Sequence, residues 1–295
     1  MSWWFPLLVG CDKAQAVPPA PDIRVIGGPG SGEGLFALPR AASWDAKNGF
    51  LYVVDKSGRI QKFDREGRFV LCWRMPAIEM GRPTGLAVDR DGTLVVNDTH
   101  YHRVVRYTGD GRELSSFGGG ESRDPGKFIY PVGLAIAPDG TIYVSEYGGN
   151  DRVQVFTADG KLLRTWGRYG EKDGEFKRPQ GLALAGDRLY VADAGNHRIQ
   201  VFSTDGMHLA SWGDVRYPYS VAVAADGTIL VAEYGRHRVA RFTPDGKPLA
   251  TAGTAGLRPG ELNTPWGAVP AGDRLFVVDA GNHRVLDWPM SMLGR

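Results

Sequence analysis

The chain has 295 residues, a formal net charge of +2 and only two cysteines. The near-neutral charge gives no sign of a nucleic-acid partner, and two cysteines exclude a disulfide framework or a RING-type zinc site. The longest apolar run is far below the about 18 residues that a membrane-spanning helix needs. The length would allow two domains, but a repeat runs through the whole body of the chain and predicts one large domain.

Residues 1–21 stand apart from that repeat. The apolar stretch Trp3–Gly10 is followed by Cys11 and then by the Pro/Ala-rich stretch Asp12–Asp22. Residues 8–11 (LVGC) resemble the bacterial lipobox, which is cleaved before a cysteine that is then acylated. The resemblance implies an extracytoplasmic, lipid-anchored protein of the cell envelope or periplasm, with Cys11 lipidated and the Pro-rich stretch as a semi-rigid tether. Without lipidation and export, the protein is expected in the cytoplasm.

One phrase returns six times from residue 51 onward, and its acidic residue recurs at intervals of 40 to 48 residues. The copies are Leu51–Phe63, Leu94–Tyr107, Ile142–Phe156, Leu189–Phe202, Ile229–Phe242 and Leu275–Trp288. A period of this size, made of strands and turns, is typical of four-stranded propeller blades. Each unit can bury its faces only against its neighbours, so six units are expected to close into a ring.

The fourth unit shows the expected blade. Short apolar segments at 181–185, 189–193, 198–202 and 207–212 alternate with turns, and no long helical period competes with them. Asp-Gly pairs, the strongest short hairpin signal, begin at Asp91, Asp110, Asp139, Asp159, Asp205, Asp226 and Asp245. Glycine-rich segments ending in proline separate the units; they lead into strands, so we interpret them as crossover loops and not as a dinucleotide-binding fingerprint.

The two ends of the chain are expected to meet. The sixth unit has three strand patterns before the chain reaches residues 291–295, so residues 22–290 form the propeller and 291–295 a tail. Ile23–Gly28 stands where fourth strands stand in the other units. We therefore predict that it completes the sixth blade and removes an exposed sheet edge. Cys72 lies in the first fourth-strand pattern and is predicted to be a small buried apolar residue.

The phrases Ala194–Val201 (AGNHRIQV) and Ala280–Val285 (AGNHRV) are similar to NHL repeats. The resemblance covers residues 22 to 288 and implies an all-β, six-bladed propeller. It does not imply one function, because NHL propellers serve as protein-binding, RNA-binding, sensor and, rarely, catalytic modules.

An acidic residue and a following arginine recur in every unit. The pairs are Asp55/Arg59, Asp98/Arg103, Glu146/Arg152, Asp193/Arg198, Glu233/Arg238 and Asp279/Arg284. Six near-identical pairs cannot all be catalytic, so each is interpreted as a structural tie between a carboxylate and a guanidinium. The histidines that precede four of these arginines, His102, His197, His237 and His283, would be spread around the ring and could not share a metal.

A proline stands directly before the first strand of each unit, at the end of the crossover loop or bridge, and we call it the bridge proline. The residue after each bridge proline is expected at the mouth of the central channel. These residues are Arg40, Thr84, Val132, Gln180, Tyr219 and Trp266, and they differ from unit to unit. Positions that vary among similar repeats are not required for the contacts that every repeat makes, so they are candidates for an individual function. The predicted ligand-binding residues are therefore Arg40, Thr84, Gln180, Tyr219 and Trp266, together with the loop residues Tyr101, Tyr147, Tyr234 and Arg236.

The same positions bear on the possibility of an enzyme. The peptidylglycine amidating lyase, a propeller of this type, holds zinc by histidines after the same proline, whereas Thr84, Val132, Gln180, Tyr219 and Trp266 stand there in this chain. No lactonase-like set of Glu, Asn and Asp occurs at these positions either. The sequence thus assembles no catalytic residues and predicts no metal or cofactor.

Three functions stay open. The first is a non-catalytic, monomeric module that presents its loop face to a protein, peptide or glycan partner at the cell envelope. The second is a metal-dependent lyase or hydrolase with its active site in the channel. The third is an RNA-binding module using arginines and aromatics of the same face, which the near-neutral charge and the lipobox disfavour.

Overall fold

The computed structural model describes residues 22–76, 79 and 82–294, and within them the chain forms six four-stranded sheets. The first three blades are β2–β5 (Pro39–Asp45, Phe50–Asp55, Arg59–Phe63, Phe69–Arg74), β6–β9 (Gly85–Val88, Leu94–Asp98, Arg103–Tyr107, Glu113–Gly118) and β10–β13 (Tyr130–Ile136, Ile142–Tyr147, Arg152–Phe156, Leu162–Trp166). The next two are β14–β17 (Pro179–Ala185, Arg188–Asp193, Arg198–Ser203, His208–Trp212) and β18–β21 (Pro218–Val223, Ile229–Glu233, Arg238–Phe242, Pro248–Ala252). The sixth blade combines β22–β24 (Pro265–Ala271, Arg274–Asp279, Arg284–Pro289) with β1 (Arg24–Ile26).

Short 3₁₀ helices follow the second strand in four blades, at Thr99–Tyr101, Ala194–Asn196, Tyr234–Arg236 and Ala280–Asn282. A fifth, Met290–Leu293, lies after the last strand. It packs on the fifth blade, where Arg241 Nη1 donates to the Leu293 carbonyl at 3.1 Å. None of the helices in the described part of the chain is long and apolar enough to span a membrane. Cys11 and the rest of residues 1–21 lie outside the described residues.

The predicted closure of the ring is confirmed. β1 pairs antiparallel with β24, with Arg24 opposite Asp287 and Ile26 opposite Val285. Ile26 is 4% exposed and joins the cluster of Phe36 and Phe276 between the sixth and first blades. Arg24 also forms an ion pair with the buried Asp287. The N-terminal strand therefore seals the ring by backbone pairing, apolar packing and charge.

Burial changes from the second strand of a blade to the fourth. Every residue of β19 is buried, because the second strand is covered on both faces by neighbouring blades. The fourth strand β5 alternates, with Leu71 and Trp73 half-buried and Cys72 exposed. The prediction that Cys72 is buried is therefore wrong, since the outermost strand turns every second side chain to solvent.

The Asp-Gly turns also join one blade to the next. Gly111 in the β8–β9 turn has φ +91°, which a glycine adopts without steric cost. A Cβ added there would lie 2.6 Å from the indole ring of Trp73, on the last strand of the preceding blade. The turn glycine therefore provides both the backbone conformation and the space into which the neighbouring aromatic ring packs.

Candidate functional site

The positions after five of the six bridge prolines lie in β-bulges, and Thr84 is the exception because β6 begins after it, at Gly85. Pro218 pairs with Glu233 and Ser220 with Ala232, so Tyr219 is the extra residue of its strand. The pairing of β2 with β3 shifts in the same way at Arg40, and that of β22 with β23 at Trp266. A bulge redirects a side chain without ending the sheet. It therefore explains how residues of an innermost strand come to point at the ring axis.

The acid–arginine pairs form in all six blades of the described structure, with N–O distances from 2.5 to 2.9 Å. Asp279 is typical: it accepts hydrogen bonds from Arg284 Nε at 2.7 Å and the Asn263 N–H at 2.6 Å. Arg284 also donates to the carbonyls of Leu257, Arg258 and Glu261 in the bridge loop. Burial raises the pKa of Asp279. These contacts support the structural interpretation of the repeat, since the guanidinium ties the loop that enters its blade to the carboxylate, as Arg59, Arg152 and Arg198 also do.

Three of the repeat histidines join neighbouring blades. Nδ1 of His283 accepts a hydrogen bond from the Leu38 N–H at 3.1 Å. His197 accepts from Tyr217 and His237 from Thr264 in the same way, each at 3.1 Å. The three donors directly precede a bridge proline and have positive φ, between +46° and +54°, a strained conformation for residues with a side chain. Each of these imidazoles thus binds the backbone of the next blade, directly before its first strand.

His102 differs from these three, because its Nδ1 faces the Ile129 carbonyl. Among the described residues, no group of three or more His, Cys, Asp or Glu is placed to hold a metal ion.

A cavity of about 600 Å³ opens on the axis at the end of the ring where the inner strands begin. We call it the axial mouth, and it is lined by Arg40, Glu79, Arg82, Thr84, His100, Val132, Tyr147, Arg178, Gln180, Tyr219, Tyr234 and Trp266. Below it runs a channel of about 320 Å³, walled mainly by small apolar residues of the inner strands. Arg40, Thr84, Val132, Gln180 and Trp266 border both spaces and so form the neck between them.

Aromatic rings form one side of the axial mouth. Tyr219 stacks on Tyr234, with ring centroids 4.6 Å apart and planes 27° apart, and its centroid is 5.1 Å from that of Trp266. Two arginines lie over rings: Arg40 Cζ is 4.7 Å from the Trp266 centroid, and Arg178 Cζ is 5.2 Å from that of Tyr147. Burial raises the pKa of Tyr219, so the phenol stays neutral at physiological pH.

Positive charge collects at the axial mouth. In the described part of the chain, the side chains of Arg40, Arg82 and Arg178 form no ion pair with a carboxylate, and Glu79 is the acidic residue of the lining. Burial lowers the pKa of Arg40, and the nearby Arg82 lowers it further. His100 accepts a hydrogen bond from the Arg82 N–H at 3.2 Å, and burial lowers the pKa of its ring. The imidazole is therefore neutral near pH 7, and the lining carries a net positive charge.

Gln180 is the most enclosed polar side chain of the neck. The residue is 7% exposed, and its Nε2 has no hydrogen-bond partner among the described residues. Thr84 differs in this respect, because its hydroxyl is 2.6 Å from that of Thr99. A buried amide without a partner is costly in a protein interior. Gln180 Nε2 is therefore an unpaired donor beside the neck, whereas the Thr84 hydroxyl is already engaged.

Seven of the nine predicted ligand-binding residues line the axial mouth. The two exceptions are Tyr101, whose hydroxyl is 3.4 Å from Glu79 Oε2, and Arg236, which is ion-paired with Asp214 and Glu233. The lining also includes five residues outside the predicted ligand set, Glu79, Arg82, His100, Val132 and Arg178. Arg82 and Arg178 directly precede bridge prolines, a position that the sequence could have indicated. No sequence signal marks Glu79.

The NHL repeat matches residues 128–156, 176–202 and 216–242, which lie in the third, fourth and fifth blades. No curated protein matches the chain in sequence.

Similar solved structures include a catalytically inactive virginiamycin B lyase from Staphylococcus aureus with quinupristin (TM-score 0.65, 15% identity, 90% of this chain and 98% of that chain). A gluconolactonase from Xanthomonas campestris (0.64, 18%, 87% and 87%) and a chain of a nidogen/laminin complex (0.58, 18%, 72% and 79%) are similar too. At these identities the similarity shows the shared fold. The chain is thus a six-bladed β-propeller that contains NHL repeats.

Proposed function

We propose that this protein is a non-catalytic binding module that receives part of a protein, peptide or glycan partner in its axial mouth. One observation carries the proposal: residues that differ from blade to blade converge on one cavity of about 600 Å³. The repeated residues hold the ring together, as the carboxylate of Asp279 and the imidazole of His283 do. Binding surfaces favour tyrosine, tryptophan and arginine, the residue types that dominate this lining.

The ring is suited to such a role because it is rigid where the ligand residues are attached. Arg40, Tyr219 and Trp266 lie in bulges of paired strands, and a preorganised site loses little entropy when a partner binds. A chain of the nidogen/laminin complex shares the fold, which supports a partner-binding role for such a propeller.

The alternative is a metal-dependent lyase or hydrolase acting in the channel. The similarity in fold to a virginiamycin B lyase and a gluconolactonase favours it. Against it, the neck contributes Thr84, Val132 and Gln180 where histidine or carboxylate ligands would be needed. RNA binding ranks lower, because the axial mouth is a concavity on the axis and not an extended groove along which a strand could run.

Replacing Trp266 or Tyr219 by alanine is expected to abolish binding of the partner at micromolar concentrations, because each change removes a large part of the aromatic side of the mouth. The partner would be captured from envelope extracts, identified by mass spectrometry, purified and titrated. Met207→Ala is the control, since Met207 is 65% exposed and lies beyond the β16 end that faces away from the mouth. Unchanged affinity in both mouth variants would place the binding site elsewhere.

The proposal includes the cell envelope as the location, with Cys11 as the acylated residue. Cells fed a palmitate analogue are expected to label the wild-type protein, while Cys11→Ser loses the label because serine lacks the thiol that is acylated. Cys72→Ser is a matched control, because Cys72 is exposed and would accept label if any accessible cysteine sufficed. Label retained in Cys11→Ser would contradict the envelope location.

A further inference from the structure

The charged groups of the axial mouth indicate what kind of ligand it takes. Arg40, Arg82 and Arg178 come from the first, second and fourth blades, so their charges approach the axis from different sides. Elsewhere in the described structure, arginines such as Arg59, Arg152 and Arg284 are bound to carboxylates. Three arginines around one cavity without such partners repel one another, and Arg82 indeed lowers the pKa of Arg40.

Two of the guanidinium groups are positioned by aromatic rings. Arg40 lies over Trp266 and Arg178 over Tyr147. A cation–π contact uses no hydrogen-bond donor, so the N–H groups of both guanidinium groups stay free to donate to the paired oxygens of a carboxylate or phosphate. The rings therefore hold both arginines at the mouth without using their hydrogen-bond donors.

Gln180 adds a neutral hydrogen-bonding group at the neck. Its side chain borders both the mouth and the channel, the residue is 93% buried and its amide nitrogen has no partner among the described residues. The rings of Tyr219, Tyr234 and Trp266, which contact one another, offer apolar surface beside it. An anion alone would leave this aromatic side uncovered, so a ligand matching the whole lining has an apolar part as well.

We propose that the axial mouth binds a small organic anion, a carboxylate or phosphate carried on an apolar group, held by Arg40, Arg82 and Arg178 with Gln180 and the aromatic side. This inference rests on the proposed function, in that the anion would be the portion of the partner that enters the mouth. The anionic group offsets the repulsion among the arginines, and the apolar group covers Tyr219 and Trp266. Among the described residues, Glu79 is the one carboxylate of the lining, so the charge near the axis stays positive.

The test uses three probes in calorimetry, at low ionic strength and in buffer without phosphate: 3-phenylpropionate, phenyl phosphate and the neutral 3-phenylpropionamide. Both acids are expected to bind, and the amide at least tenfold more weakly. Arg40→Gln should weaken the acids on the order of tenfold and leave the amide unchanged, because it removes one charged donor. The tighter of the two acids identifies the anion as carboxylate or phosphate.

Arg112→Gln is the matched control, because Arg112 is an exposed arginine of the β8–β9 turn at the opposite end of the ring. A thermal melt checks that each variant folds, and Arg178→Gln replaces Arg40→Gln if the latter does not. Equal binding of acids and amide, failure of both acids to bind at millimolar concentrations, or unchanged acid affinity in the arginine variants would overturn the inference.

The outcomes separate this inference from the proposed function. If the acids do not bind while Trp266→Ala still releases the partner, the anion inference fails and the mouth remains the binding site. If the acids bind as expected while Trp266→Ala leaves partner binding intact, the proposed function fails and the anion site stands alone.

Discussion

Ile26→Asp is expected to lower the melting temperature by roughly 10 °C, because it places a carboxylate in the apolar seam, the cluster between the sixth and first blades where the ring closes. Ile26 is 4% exposed and packs with Phe36 and Phe276, so an aspartate there is buried without a partner. Deleting residues 22–29 should have at least as large an effect, since β24 then loses its neighbour and becomes the outer edge of the sixth blade. Thermal unfolding followed by circular dichroism measures both changes.

Val25→Asp is the control for this prediction. Val25 lies on the same strand but is 47% exposed, so its aspartate remains in water and the backbone pairing with Leu286 is kept. A melt unchanged in Val25→Asp and strongly lowered in Ile26→Asp would attribute the effect to the buried seam. An unchanged melt in Ile26→Asp and in the deletion would show that β1 does not hold the ring closed.

Arg284→Met is expected to destabilise the protein by about 3–5 kcal/mol, because it leaves the Asp279 carboxylate buried without its partner. The residue Asp279 is fully buried, and Arg284 also binds three carbonyls of the bridge loop from residue 257 to 261. Chemical denaturation measures the change in the free energy of unfolding. Adding Asp279→Asn to Arg284→Met should recover part of the loss, since an amide can be buried without a charge.

The exposed pair of Arg68 and Asp64 serves as the control. Their N–O distance is 2.6 Å, but the Arg68 side chain is 75% exposed and competes with water for its partner. Arg68→Met should therefore leave the melting temperature unchanged. An equal loss of stability in Arg68→Met and Arg284→Met would contradict the conclusion that the repeated pairs stabilise the protein because they are buried.

Most of the fold follows from the sequence because the repeat imposes the same contacts six times. The acid and the arginine of each phrase mark the end of one strand and the start of the next, as at Asp193 and Arg198. The missing fourth strand of the last unit made closure by the N-terminal segment the expected solution, and β1 confirms it. Cys72 could not be placed from its pattern, because an outer strand and an inner strand share apolar alternation and differ only in what covers them.

The lining of the candidate site was less predictable than its position in the fold. Its position follows from the bridge prolines, and Arg40, Tyr219 and Trp266 do converge on the axial mouth. Which side chains turn inward depends on local partners that the repeat does not encode: Arg236 lies on a loop of the same end of the ring, but Asp214 and Glu233 bind it. Arg178 lines the mouth from a position directly before a proline, where its φ is positive. This strained conformation cannot be read from the sequence.

The direction of β1 has a further consequence for how the molecule would be oriented. β24 starts at the mouth end and runs away from it, so its antiparallel neighbour begins at the far end, where the Asp22 carbonyl accepts a hydrogen bond from Arg274 Nη2. Asp22, the first described residue, therefore lies at the circumference of the ring, on the side remote from the axial mouth. If Cys11 attaches the protein to a lipid bilayer, as proposed, the chain would enter the propeller at the end near the membrane. The axial mouth would then face the aqueous compartment and the molecules that arrive from it.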